Sequence, residues 1–181
     1  MQAILFSGVH GVGKGFFLDK VKDSIQYYNV YSASNLIEKY QPSTDAGYKK
    51  VSNVKNNQDV LIKAIKEAKA NDINDFILDG HLCIFNAEGK VERIPEYFFE
   101  EAQINGIILL QDEAQIICDR INQRDSNKIS VNDIKCMQEE EQKYADELKD
   151  KLQIENKIIT HECTGKKFEE LIKSVGGGFI E

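Results

Sequence analysis

The most specific chemistry in this chain lies in eight residues near the N-terminus, Gly8-Val9-His10-Gly11-Val12-Gly13-Lys14-Gly15. They fit the spacing GxxxxGK, with a third glycine inside. Holding a polyphosphate requires backbone N–H groups turned inward around the anion and glycines that accept the necessary dihedrals without a Cβ clash. It also requires a helix N-terminus aimed at the charge and a lysine that reaches the outer phosphates. The segment offers all four, because the apolar run Gln2 to Ser7 ahead of it reads as a buried strand, and after Lys14 the residues Phe17, Leu18, Val21 and Ile25 recur at helical spacing. Gly8, His10, Gly11, Val12, Gly13, Lys14, Gly15 and Phe16 are therefore the candidate nucleotide-binding residues, with ATP as the expected ligand. Gly15 stands where a serine or threonine would offer its hydroxyl to magnesium. The magnesium anchor is instead sought at Asp79, acting through water.

Asp79 closes the apolar run Asp75 to Asp79, at the carboxyl end of a strand, where ligands of parallel sheets bind. Two residues on, His81 is a second candidate for the neighbourhood of a transferred phosphate. The chain has three arginines, and two of them, Arg120 and Arg124, lie four residues apart near the end of a helical segment. A guanidinium is a planar fork of donors suited to phosphate, so this pair is the candidate clamp, with Lys128 as an assistant. The competing reading is a surface ion-pair helix in which Asp119 and Asp125 take up the two charges. Lys14, Asp79, His81, Arg120 and Arg124 form the candidate catalytic set.

The rest of the pattern must position those groups. A strand Tyr27–Tyr31 and the stretch Ser32–Tyr40, with Ser34 as the candidate cap of a short helix carrying Leu36 and Ile37, are followed by residues 41–57, an aperiodic acceptor-side loop holding Lys49, Lys50 and Lys55. Next come a helix Asn57–Ala70, the strand ending at Asp79, and a small hairpin insertion over 82–94 that pairs Leu82–Phe85 with Lys90–Arg93. A short helix opens at Pro95, a strand runs from Gly106 to Gln111, and a helix from Glu113 to Gln123 leads to a short lid at 124–130. Ser130 and Asp133 resemble a capping box before a long charged helix ending near Leu152; a strand Lys157–His161 and a helix Phe168–Val175 close the chain. Alternating helices and uniformly apolar strands predict an α/β fold, with three layers around a five-stranded parallel sheet in the order 2-3-1-4-5. The charge run Glu139-Glu140-Glu141 is expected on a solvated helix face, Tyr27, Tyr28 and Tyr31 in packing, and His161 and Cys163 at a strand end without a chemical role.

With 181 residues, 41% hydrophobic and 29% charged, one core and one domain over 1–181 are expected. A net charge of −7 disfavours a broad nucleic-acid surface, because such surfaces neutralise phosphates with Lys and Arg. No run approaches the roughly 18 apolar residues of a membrane span, and the first residues lack a signal-peptide pattern, so a cytoplasmic protein is expected. Cys83, Cys118, Cys136 and Cys163 show neither CxxC spacing nor a partnering histidine cluster, which argues against zinc and against a disulfide framework.

The loop resembles that of adenylate kinases, GxPGxGKGT, with His10 in place of the proline and Phe16 in place of the threonine. Asp79 and His81 are similar in spacing to the Asp-x-His pattern of small adenylate kinase-like NTPases associated with ribosome assembly. The strand Ile107–Leu110 followed by Asp119-Arg120-Ile121-Asn122-Gln123-Arg124-Asp125 resembles the strand, helix and RxxxR arrangement of nucleoside monophosphate kinases. The resemblance implies a P-loop NTPase fold and an ATP- and magnesium-dependent phosphotransferase, with AMP or another small acceptor. It also implies an adenine-contacting loop at Thr160–Lys166. On the acceptor side the arginines of that family are missing from residues 1–92, and Lys49, Lys50 and Lys55, with Gln58 as a base-reading amide, are the substitutes. Two other readings stand beside this one: a nucleotide-dependent switch or weak ATPase acting on a protein partner through the 82–94 hairpin, and a kinase for a non-nucleotide small molecule.

Overall fold

The computed structural model describes residues 2–40, 54–71, 75–86, 88–125 and 128–177. Its centre is a parallel sheet of β1 (Ala3–Ser7), β2 (Asn29–Ser32), β3 (Phe76–Asp79), β6 (Gly106–Leu110) and β7 (Glu155–Ile159); β4 (Cys83–Phe85) and β5 (Val91–Arg93) form a separate antiparallel hairpin. Every residue of β1 and β6 is buried. Successive strand residues point to opposite faces, so burial without alternation means that both faces of the central sheet are covered.

The sheet order is β2-β3-β1-β6-β7. The expected 2-3-1-4-5 counted parallel strands alone; the hairpin contributes two further strands between β3 and β6, so the last two members of the sheet are the sixth and seventh along the chain. From β1 the chain builds one side through β2 and β3 and then crosses to the other through β6 and β7. Register places Phe6 beside Asp79 and Ser7 beside Leu109. The carboxyl ends of three strands therefore open together where the order reverses, which is where α/β sheets bind ligands.

The helices are α1 (Lys14–Val21), α2 (Ala33–Tyr40), α3 (Val54–Asn71), α4 (Glu96–Glu101), α5 (Ala114–Arg124), α6 (Val131–Leu152) and α7 (Gly165–Val175). Phe17 of α1, Phe6 of β1 and Phe168 of α7 meet with ring centroids 5.0 to 5.5 Å apart and fix α1, and with it the loop before it, onto the sheet. Ser130 and Asp133 form the reciprocal capping box at the start of α6. Arg93 ties the hairpin to that helix, with Nε donating to Glu140 at 2.6 Å and Nη1 to Glu147 at 2.7 Å.

Several boundaries differ from the sequence expectation. β2 begins at Asn29, and Tyr27 is exposed in the turn before it. The last strand starts at Glu155, because Gln153 turns left-handed at φ 59° and ends α6 directly before it. Helix α3 begins at Val54, so Lys55 belongs to a helix and the aperiodic stretch expected over 41–57 ends earlier than expected. Lys49 and Lys50 lie outside the described residues.

At Gly106 on β6, an added Cβ would lie 2.6 Å from both the Val175 carbonyl oxygen and its Cγ2 atom. The end of α7 rests directly on this strand. Gly106→Ala is expected to destabilise the fold by about 1–3 kcal/mol through overpacking, read as a lower midpoint in urea; an unchanged midpoint would mean that α7 does not press on β6.

Candidate functional site

The loop between β1 and α1 has the geometry that its glycines permit. Gly11 and Gly13 take φ of 84° and 97°, and Gly13 caps α1 in the left-handed conformation. At Gly8 the constraint is space, since a Cβ would meet the Leu110 carbonyl oxygen at 2.6 Å. Val12 is wholly buried and pins the loop into the core. Its carbonyl oxygen accepts from His161 Nε2 at 2.7 Å and from Arg120 Nη1 at 3.2 Å. In a trans peptide, holding that carbonyl turns the Gly13 N–H of the same unit the opposite way.

A pocket of about 390 Å³ lies over the loop. Of the candidates, His10, Gly11, Gly13, Lys14, Gly15, Asp79, Arg120 and Arg124 line it. Gly8 and Val12 act from behind through their carbonyls. Phe16 does not line the pocket; its ring is 72% exposed and leans towards His161, with centroids 6.2 Å apart.

Lys14 is the centre of the charge arrangement. Its ammonium donates to the Gly8 carbonyl at 3.1 Å and lies 3.7 Å from Asp79 Oδ1. Burial pushes its pKa below the ordinary lysine value, opposed by the charges of Asp79 and Glu141. Asp79 moves the other way: burial raises its carboxyl while Lys14 holds it down. His81 stands against Lys14, with ring nitrogens 3.4 and 3.5 Å from Nζ. Its Nδ1 is 2.8 Å from the Gly8 carbonyl, which only accepts, so that nitrogen carries the hydrogen and Nε2 presents its lone pair. Burial, with Lys14 beside it, lowers the His81 pKa to about 3, so the ring is neutral at physiological pH.

Helix α5 supplies both arginines. Arg120 Nη1 also donates to Asp112 at 3.0 Å, and Arg124 donates to Asp125 at 2.8 Å while its Nη2 contacts His10. The expected ion-pair partner Asp119 is not used by either; it accepts from Gln115. Asn122 ties the end of α5 to Ile129, accepting from its N–H at 2.9 Å and donating to its carbonyl at 3.0 Å. Lys128 donates to the Asn122 carbonyl. Residues 126 and 127 of the lid expected over 124–130 lie outside the described residues.

Two residues outside the candidate set belong to this neighbourhood. Glu141, expected on a solvated face, is only 2% exposed. It accepts from Ser7 Oγ at 2.9 Å and from the Leu82 N–H at 3.3 Å, joining α6 to the end of β1 and the root of the hairpin. The signal was in the sequence: Ile134, Met137, Glu141, Tyr144, Ala145 and Leu148 all lie on the buried stripe of α6, and the carboxylate falls within it. His161 supports the loop through Val12 from a position beyond β7, and only the tertiary fold makes that visible. Gln58, on α3, is buried and lines a separate cavity together with residues of α2 and the end of β3.

For magnesium, Asp79 is a lone carboxylate lining the phosphate pocket, and the described residues contain no cluster of three or more acidic, histidine or cysteine ligands. That donor set fits an ion held by one carboxylate together with substrate phosphates and waters, the usual mode for magnesium with nucleotides. No helix among the described residues is long and apolar enough to cross a membrane.

A family model described as AAA domain matches residues 7–135, and the chain belongs to that family, within the phosphate-loop kinase-like group. No curated protein matches the chain. Among solved structures, the tunicamycin resistance protein of Deinococcus radiodurans superposes with a TM-score of 0.60 at 12% identity, over 97% of this chain and 95% of that one. A sugar kinase from Janibacter sp. HTCC2649 superposes with a TM-score of 0.52 at 11% identity, over 98% and 96%. At these identities the likeness is one of fold.

Burial lifts the Glu141 carboxyl from its ordinary 4.5 to about 7, against the pull of Ser7 and Lys14. The folded chain thus keeps this proton to higher pH than the unfolded chain. Stability from the neutral carboxyl is complete below about 4.5 and is lost as pH rises towards about 7. Glu141→Gln stays neutral, so wild type is expected to lose stability relative to the variant across that window, measured by urea unfolding at its two ends. A stability difference independent of pH would show that Glu141 does not titrate there.

Proposed function

We propose that this protein is an ATP-dependent phosphotransferase that moves the γ-phosphoryl group to a small acceptor. The observation that carries the reading is the placement of the Lys14 ammonium between the Gly8 carbonyl, Asp79 and His81, at the floor of a pocket that also receives Arg120 and Arg124. In this reading the loop amides and the N-terminus of α1 hold the β- and γ-phosphates, and Lys14 follows the charge as it shifts towards the leaving oxygen. Arg120 and Arg124 approach the γ-phosphate from the opposite wall. Asp79 holds magnesium, which when bound neutralises phosphate charge. Neutral His81 keeps Lys14 directed into the pocket.

The kinase reading draws support from the family and from a fold shared with a protein described as a sugar kinase. The adenylate kinase resemblance implies AMP as acceptor. A nucleotide-dependent switch is the second reading. It is favoured by Gly15, which has open space around it, and by the exposed Phe16 ring, which puts no hydroxyl beside the phosphates.

ADP release from magnesium-ATP, with and without monophosphates, nucleosides and sugars, separates the two. The transferase reading expects release that rises with one acceptor class and falls about 100-fold or more in Lys14→Ala. Tight ATP binding with acceptor-independent release at the Lys14→Ala level would overturn it in favour of the switch.

A further inference from the structure

Behind the phosphate loop lies a carboxylate that the proposed reaction leaves unused. Glu141 of α6 is 2% exposed, and its Oε1 accepts from Ser7 Oγ at 2.9 Å and from the Leu82 N–H at 3.3 Å. The Leu82 N–H also donates to Ser7 Oγ at 2.8 Å, so the three groups close a small buried ring. Both partners adjoin the groups that hold Lys14. Ser7 precedes Gly8, whose carbonyl oxygen accepts from the Lys14 ammonium and from His81 Nδ1, and Leu82 follows His81. From one point, Glu141 therefore fixes the two chain segments that present the Gly8 carbonyl and the His81 ring to the ammonium.

Those hydrogen-bond partners are neutral, and the cation that favours the charged carboxylate is Lys14. Cys83 of β4 also faces it; burial, with Glu141 and Glu140 adding to it, pushes that thiol up to about 12 and keeps it neutral. Arg93 of β5 is engaged by Glu140 and Glu147. Asp79 and His81 at the end of β3 meet Lys14 directly, and the His81 ring is neutral. One ammonium is thus shared between two carboxylates, Asp79 in the pocket and Glu141 behind it. A polyphosphate bound at the loop draws on the same ammonium and adds negative charge where burial leaves it weakly screened. A negative charge already present then becomes surplus, and the one shut away from water is Glu141.

We infer that Glu141 is a positioning residue of the phosphate site: as a carboxylate it steadies the Lys14 ammonium in the free protein, and it takes a proton from water when a polyphosphate arrives to claim that ammonium. The inference rests on the nucleotide-binding part of the phosphotransferase reading and adds one proton to its binding step. In the free protein the carboxyl titrates at about 7, raised by burial against the pull of Ser7 and Lys14. Phosphate charge raises it further in the complex, so between the two midpoints the complex holds more protons than the free protein. ATP affinity is then complete below about 7 and falls as pH rises through the higher midpoint.

Titration calorimetry of the full chain with magnesium-ATP tests it, each pH being run in two buffers of different ionisation enthalpy so that the protons taken up are counted. A midpoint raised by about one unit in the complex gives uptake of about half a proton near pH ~7.5, and an affinity about tenfold lower at pH ~9 than at pH ~6. Glu141→Gln keeps an acceptor for Ser7 and Leu82 without the charge. It is expected to remove that uptake and to hold the wild type's acid-side affinity across the whole range. Protonation of the ligand and of every other residue is common to both proteins and cancels in the comparison. Equal uptake in the two proteins, or one pH profile shared by both, overturns the inference, because a purely structural Glu141 would change stability and leave the proton count alone. If Glu141→Gln binds no magnesium-ATP, carboxyl-carbon NMR of glutamate-labelled wild type decides. The resonance that titrates at about 7 must move its midpoint upwards with magnesium-ATP, and an unmoved midpoint overturns the inference. Failure of the phosphate-site reading looks different: Lys14→Ala would then bind magnesium-ATP as tightly as wild type.

Discussion

Burying one positive charge sets the terms for much of this molecule. The Lys14 ammonium is drawn out of water at the end of the loop, and the penalty for that is visible in its lowered proton affinity. The surroundings answer it from three directions: the Gly8 carbonyl from the loop itself, Asp79 from the neighbouring strand, and Glu141 from behind. Each answer depends on the sheet. Only with β1 between β3 and β6 do the loop, Asp79 and the Ser7–Glu141 pair converge on one point. A nucleoside triphosphate arriving here would supply more negative charge than Asp79 and Glu141 together, which is why a lysine kept short of full compensation suits such a site.

The parts of the fold that came through in the sequence are those written in local pattern. The uniformly apolar runs at Ala3–Ser7 and Gly106–Leu110 announce buried strands, and Ser130 with Asp133 announces the start of α6. The loop was legible because its chemistry demands particular residues at fixed intervals, and Gly11 and Gly13 do take the left-handed angles that demand implies. What stayed hidden depends on contacts across long separations. Glu141 sits 134 residues from Ser7 and His161 lies 149 residues from Val12. A run of three glutamates reads as solvated because charge is a composition signal, whereas the burial of its last member is a matter of helix phase. The start of β7 at Glu155 was missed for a related reason: the left-handed glutamine that separates it so closely from α6 carries none of the glycine signature that usually marks such a stop.

Helix α6 does more than cover the sheet. Through Glu141 it holds the end of β1, and through Glu140 and Glu147 it holds Arg93 of the hairpin. Leu82, at the root of that hairpin, donates to both Ser7 and Glu141. The wall of the second cavity contributed by Ile84 and the floor of the first pocket are therefore fastened to one rigid rod.

The shared hold on the Val12 carbonyl has a consequence for Arg120. Its Nη1 serves Val12 and Asp112 at once, so the guanidinium that lines the pocket is already employed. An anion that draws on Nη1 must displace one of these acceptors, and the net gain is then the difference between an ionic contact with phosphate and the contact surrendered, whereas Nη2 and Nε, which make no hydrogen bond among the described residues, can meet it without that loss. His161 keeps its own grip on the same carbonyl throughout, so the loop retains its shape while the arginine changes partners. The site thus holds a counter-charge in reserve, tethered on the protein side until an anion of sufficient charge takes it up.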